Sequence, residues 1–166
     1  MFDVGLALPL AILLLLVAFF SGIGITTIGP GGIFVTISLY SLTDLSSSQV
    51  AGTAHATFVV TGIVGSLAYL HSGELRTNGN YHIASILSLS SIAGALSGAH
   101  VNQYVPRTLF GVLLGGLAIL VGGLILYQER YEIRPVYLAE VETFSGNAVL
   151  AIIGFVLGVV SGLLGI

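Results

Sequence analysis

The 166-residue sequence contains no cysteine and no lysine, and its four arginines, two aspartates and five glutamates make only 7% of the chain charged. Without cysteine there are no disulfide scaffolds, thiolate metal sites or thiol nucleophiles. Without lysine, at a net charge of −3 and a pI near 5.7, the basic footprint that nucleic-acid binding requires is missing. A soluble domain carries about 25% charged residues. So few charges cannot wet the surface of a 17.1 kDa globule. With 55% apolar residues and a mean hydropathy of +1.07, the chain must turn most of its outer face to lipid. It is therefore read as an integral membrane protein. The 23 glycines fit, because in membrane helices glycine lets backbones approach closely.

The uncharged runs define the expected spans. Single helical crossings, of about 20 residues each, are expected near 49–70, 82–100 and 107–127, with a last apolar segment over 144–166. Stretches such as Leu113 to Leu126 do not alternate, which excludes a transmembrane barrel. The first run, 6–40, is too long for one crossing. Its middle reads Gly29-Pro30-Gly31-Gly32, which strongly disfavours a continuous helix. A helix over 6–27, a break and a shorter helix over 33–40 are expected, and the sequence leaves open whether the second piece re-enters or completes a crossing. A cleaved signal peptide over 1–20 is the competing interpretation. It is opposed by Asp3, the absence of positive charge and the apolar sequence that follows. Residues 128–143, with Glu129, Arg130, Glu132, Arg134, Glu140 and Glu142, read as a polar linker. Counting crossings places Arg76, Arg130 and Arg134 on one side and Arg107 on the other, so the Arg76 side is expected in the cytoplasm of a multi-pass cell-membrane protein.

The chain echoes itself. Placing Ile166 on Ile28 puts Gly162 on Gly24, so that Ser161-Gly162-Leu163-Leu164-Gly165-Ile166 repeats the approach to the glycine break and stops before it. Echoed, glycine-interrupted segments are how repeated transporter folds show in sequence. Ile166 has neither a cap nor a polar tail. The fold expected is an all-α polytopic bundle: one repeat over 1–127 with a broken first helical segment, the linker, and the first helix of a truncated second repeat. The missing C-terminal repeat of the same chain is then a partner, and a homo-oligomer is left open. Three further motifs extend the pattern: Ile28-Gly29-Pro30-Gly31-Gly32-Ile33, Ala51-Gly52-Thr53-Ala54 at the second span, and Phe110-Gly111-Val112-Leu113-Leu114 at the fourth. In order and spacing, from about Phe20 to Tyr127 and again from Gly154, the chain resembles the TauE/SafE sulfite exporter family of membrane transporters. Thr27 and Pro30 stand where that family usually has glycine, so the local backbone is expected to differ. The resemblance implies export or uptake of sulfite, sulfonates or other small organic anions.

A broken helix exposes backbone N–H groups at the start of its second half, where the macrodipole adds positive charge. With no Lys or Arg in the spans, an anion must be held by neutral donors. Gly29, Gly31 and Gly32 allow it to approach the backbone, and Thr26 and Thr27 add hydroxyls beside them. Thr53, Thr57 and Thr61 form one stripe on the second span, and Thr53 and Thr57 are candidate substrate contacts. Against these stand a simple packing kink and hydroxyls bonded back to their own helix. His55, inside the same span, is the candidate for proton coupling, with an interfacial histidine as its alternative. His71, His82 and His100 fall at span ends, and no metal or cofactor site is expected. Ser88, Ser91, Ala95 and Gly98, and likewise Gly111, Gly115, Ala118 and Gly122, form small-residue stripes for helix packing. An enzyme is disfavoured: there is no G-x-S-x-G, no H-E-x-x-H and no intramembrane Asp pair, and Ser97 with His100 is the only nucleophile–base spacing. A secondary transporter for a small anion is the expected function, with a non-transporting membrane scaffold as the alternative.

Overall fold

Six α-helices follow the pattern of apolar runs in a computed structural model that describes residues 4–27, 29–73, 80–131 and 144–166. They are α1 (Val4–Thr27), α2 (Ile33–Leu42), α3 (Ser47–Ser72), α4 (Asn80–Asn102), α5 (Arg107–Arg130) and α6 (Phe144–Leu164). Among the described residues there is no strand. All but α2 are long and apolar enough to cross a membrane, which makes the chain a multi-pass helical membrane protein. Their outer faces carry the large apolar side chains: Leu89 and Leu96 of α4 and Leu15 of α1 are each 70% exposed, as lipid-facing residues should be.

Local chemistry sets the ends. Ser46 and Gln49 form a reciprocal capping box, so α3 starts at Ser47, ahead of the first strongly apolar residue. Gly73 (φ +80°) caps its far end. Pro106 precedes α5 as its N-cap. Gly165 (φ +69°) turns the chain out of α6, a stop signal that the sequence pattern alone did not reveal. Arg76, Arg134 and most of the polar linker lie outside the described residues.

The most intimate packing joins α4 to α6, which run parallel: His82 meets Asn147, Ser91 meets Gly154 and Gly158, and Asn102 meets Leu163. Gly94 and Gly98 on α4 face Gly154, Gly158 and Gly162 on α6, so each backbone lies against the other. Polar pairs close both ends of this seam. His82 Nε2 is 3.1 Å from Asn147 Oδ1, and the Asn102 amide donates to the Leu163 carbonyl. Ser91, Ala95 and Gly98 belong to the seam as expected, but Ser88 is exposed and Gly94 takes the inward position instead. On α5 only Gly111 of the expected stripe is crowded, by the Tyr40 hydroxyl, whereas Gly115 and Gly122 face open space. Because α4 and α6 are parallel, their N-terminal ends share one face of the bundle.

The small core surrounds α2. Val35 and Leu39 of α2, Val50, Ala51 and Ala54 of α3, Phe110 and Leu114 of α5, and Leu164 of α6 are all buried. Arg107 fixes the outer end of α2. Its guanidinium donates to the carbonyls of Tyr40 (2.5 Å), Thr43 (2.6 Å) and Leu45 and lies 4.6 Å from the Tyr40 ring centroid. A cation at a helix C-terminus suits the macrodipole.

Candidate functional site

The expected break is a tight hairpin. The Gly29 N–H bonds to the Gly24 carbonyl (3.2 Å) and closes the end of α1, with φ +98° at Gly29, a value that side chains rarely permit. A 3₁₀ turn, Pro30–Gly32, then leads into α2. Gly31 is buried against the backbone of Gly24 and Ile25, so α2 folds back beside the last turns of α1. Leu14 and Ala18 extend this face of α1 onto the core. The shorter helix thus doubles back along α1. Its N-cap, Gly32 (φ −60°, ψ −27°), has no side-chain cap, and the first N–H groups of α2 are left without one.

Depth follows from the neighbours. Gly32 lies over the ring of Phe58, three turns into α3 and so about 16 Å from its start, a distance comparable to half of a hydrocarbon core of about 30 Å. The ten residues of α2 bridge the same interval from the Arg107 side. The end of α6 reaches the same region. Gly165 packs on Ala51, its carbonyl accepts from Thr36, and Ile166 stands near the break. The ends of α1 and α6, which correspond in the internal echo, therefore converge on one place.

Between them opens a groove of about 1080 Å³ whose walls include Gly29, Gly32, Ile33, His55, Phe58, Thr61, Leu117, Ser161 and Ile166. The structure brings Gly29, Gly32 and His55 of the sequence candidates to this groove. Gly31 faces α1 instead. The side chains of Thr26 and Thr27 lie outside the described ones. Thr53 and Thr57 are exposed on the other side of α3, with the Thr57 hydroxyl donating to the Thr53 carbonyl (3.1 Å). Thr57→Val is therefore expected to change anion flux by less than about twofold, since that hydroxyl already has a backbone partner. A flux loss of tenfold or more in this variant would put the threonine face in the pathway.

Thr61, the third member of the expected threonine stripe, does line the groove, whereas Phe58 and Ser161 are groove residues that the sequence did not single out as contacts; their signal is position beside His55 on α3 and, for Ser161, in the second glycine segment. His55 stands between Ala51, which touches Gly165, and Phe58, which touches Gly32. Its Nδ1 is 2.8 Å from the Ala51 carbonyl. A carbonyl only accepts, so Nδ1 carries the hydrogen. Nε2 is buried and has no hydrogen-bond partner among the described residues. The buried Ser21 hydroxyl, on the α1 face beside Gly31, is likewise unpartnered. No group of three or more metal-ligating side chains occurs among the described residues.

The sequence is 34% identical over 105 residues to the "Probable membrane transporter protein YjnA" of Bacillus subtilis (strain 168), a match covering 61% of this chain and 38% of that protein. The chain thus aligns with well under half of its relative's length. No solved structure matches it. The family described as "Sulfite exporter TauE/SafE" matches residues 13–166, nearly the whole chain and all of its groove-forming helices. By that match, the chain belongs to the sulfite exporter TauE/SafE family.

Proposed function

We propose that the protein is a secondary transporter of the cell membrane that moves a small anion, such as sulfite, a sulfonate or another organic anion, through the groove at the helix break. The observation that carries this is the uncapped N-terminus of α2, opening at mid-depth of the membrane. There the helix presents N–H groups and about half a unit of positive charge, with no lysine or arginine in the groove to compete. Family membership and the name of the Bacillus relative support transport as the activity. The start of α2, at Gly32 and Ile33, would hold the anion, and Gly29, whose N–H already serves the Gly24 carbonyl, would leave room for it as a residue without a side chain. Thr26 and Thr27 are assigned to the same site on sequence grounds. Gly31 would set the hairpin rather than touch substrate, and Thr53 and Thr57 are left at its margin. His55 is assigned to proton movement.

Residues 1–127 form one repeat, 128–143 a linker and 144–166 the first helix of a second repeat, whose remainder would close the groove from the other side. The Arg76 and Arg130/Arg134 side faces the cytoplasm.

Uptake of labelled sulfite, methanesulfonate and acetate by vesicles carrying the full-length protein tests the function, with Gly32→Ala as the site variant. A methyl at Gly32 would approach the Phe58 ring tip (2.8 Å), a flexible partner, so folding should survive while the ring is pushed into the groove. Flux is expected to fall at least about tenfold, because hydrogen bonds to a charged group are worth roughly 1.5–3 kcal/mol. Normal flux in Gly32→Ala at normal membrane yield would remove the break from the pathway.

A further inference from the structure

We infer that each anion crosses together with one proton, held between His55 Nε2 and a substrate oxygen. This rests on the transport function proposed above and adds to it the origin of the proton and the class of anion preferred. A neutral imidazole has one ring hydrogen, and in His55 it is committed: Nδ1 donates it to the Ala51 carbonyl at 2.8 Å. Nε2 therefore carries only a lone pair, on a side chain that lines the groove between the start of α2 and the end of α6. It is buried, with no partner among the described residues. A lone pair facing a fully ionised oxyanion gives two acceptors with nothing to share. One added proton, on Nε2 or on the oxygen, converts that repulsion into a charge-assisted hydrogen bond.

Among the described residues no side chain beside His55 supplies this proton. Along the groove the other titratable side chain is Tyr69, four turns farther along α3 and about 21 Å away. From the packed elements, α1 over Val4–Thr27 and α6 contain no ionisable residue, and α2 has only Tyr40 at its outer end, with Asp44 beyond it. On α4, Tyr81, His82 and His100 lie at the ends. On α5, Arg107 is occupied by three carbonyls, and Tyr127, Glu129 and Arg130 are at the far end. The proton then comes from solution, free or on the substrate. An anion of a weak oxyacid, which can carry the proton itself, is favoured over the anion of a strong acid.

The experiment uses the full-length protein in proteoliposomes with an entrapped pH dye, and sulfite and methanesulfonate as probes. Wild type is expected to take up one proton with each sulfite, to prefer sulfite over methanesulfonate, and to speed up as external pH falls. His55→Gln, whose amide brings its own N–H, is expected to lower sulfite flux and, in the flux that remains, to lose the proton uptake and the pH dependence. Sulfite uptake without protons in wild type, or an unchanged proton-to-anion ratio in His55→Gln, overturns the inference and leaves the transport function standing. No flux with any anion overturns both. Nitrogen NMR of histidine-labelled protein reads the tautomer independently of transport. A resting His55 with hydrogen on Nδ1 supports the inference, and hydrogen on Nε2 instead overturns it.

Discussion

Gly31→Ala is expected to disrupt the hairpin between α1 and α2 and to leave little folded protein in the membrane. The methyl would overlap the backbone of Gly24 and Ile25 and lie 2.7 Å from the Ser21 carbonyl oxygen. None of these atoms is the tip of a side chain that can swing away. Relief requires α2 to lift off α1, which would strip contacts from Ser21 and from the core around Val35 and Leu39. Overpacking a closed interface costs about 1–3 kcal/mol even where side chains can adjust. Here the cost should reach the top of that range, a large share of a typical stability of about 5–15 kcal/mol. Membrane yield and the temperature of aggregation check this, with Gly115→Ala as control, since nothing lies within 4 Å of a methyl there. Equal yield and thermal stability in Gly31→Ala and wild type would mean that α2 does not lie against α1. The sequence pattern groups Gly31 with Gly32 as points of anion approach. The structure separates them, because one faces backbone and the other a phenylalanine ring.

Gly158→Ile is expected to be at least as damaging, by separating α4 from α6. A side chain at Gly158 would overlap the Ser91 carbonyl and lie 2.8 Å from its Cα, and Gly94, Gly98, Gly154 and Gly162 are closed in the same way. Lipid is as apolar as a leucine side chain, so helices in a membrane gain little from burying one. What holds α4 to α6 is close backbone contact and the hydrogen bonds that this proximity allows, such as Ser91 to the Gly154 carbonyl at 3.0 Å. Moving the helices apart forfeits all of these together. It also withdraws Ser161 and Ile166 from the groove, since both ride on the end of α6. Yield should drop sharply, and any protein recovered should lose flux. Val149→Ile, on the exposed face of the same helix, provides the control and should behave as wild type. Indistinguishable behaviour of the two variants would exclude the seam as a structural element.

Most of the helical architecture was legible because the bilayer imposes a simple rule. Every spanning segment must satisfy its backbone internally and carry an apolar exterior, so uncharged runs such as 108–127 and 144–166 reveal themselves by composition. The break at Gly29 to Gly32 was legible for a related reason: three glycines and a proline in four positions cannot continue a membrane helix without cause. Helix ends were read less closely where local hydrogen bonding decides them, as with the Ser46 capping box that starts α3 two residues ahead of the expected boundary.

Which faces meet was not legible, because glycine and serine recur on several sides of α4 and α5 and nothing in the sequence ranks one stripe over another. Ser88 and Gly94 exchanged roles, and Gly115 met nothing, once α6 was known to pack on α4. Arg107 shows the same limit. In the sequence it is one positive charge in a loop count, and in the fold it ties down the end of α2. The sequence alone determined that the chain is a helical membrane protein with a broken first segment, since composition and backbone chemistry are local properties. Only the tertiary structure decided that α2 folds back along α1, that Gly31 and Gly32 face different neighbours, and that His55 stands between the ends of α2 and α6. Those are relations between residues far apart in the chain, set by which backbones can approach closely.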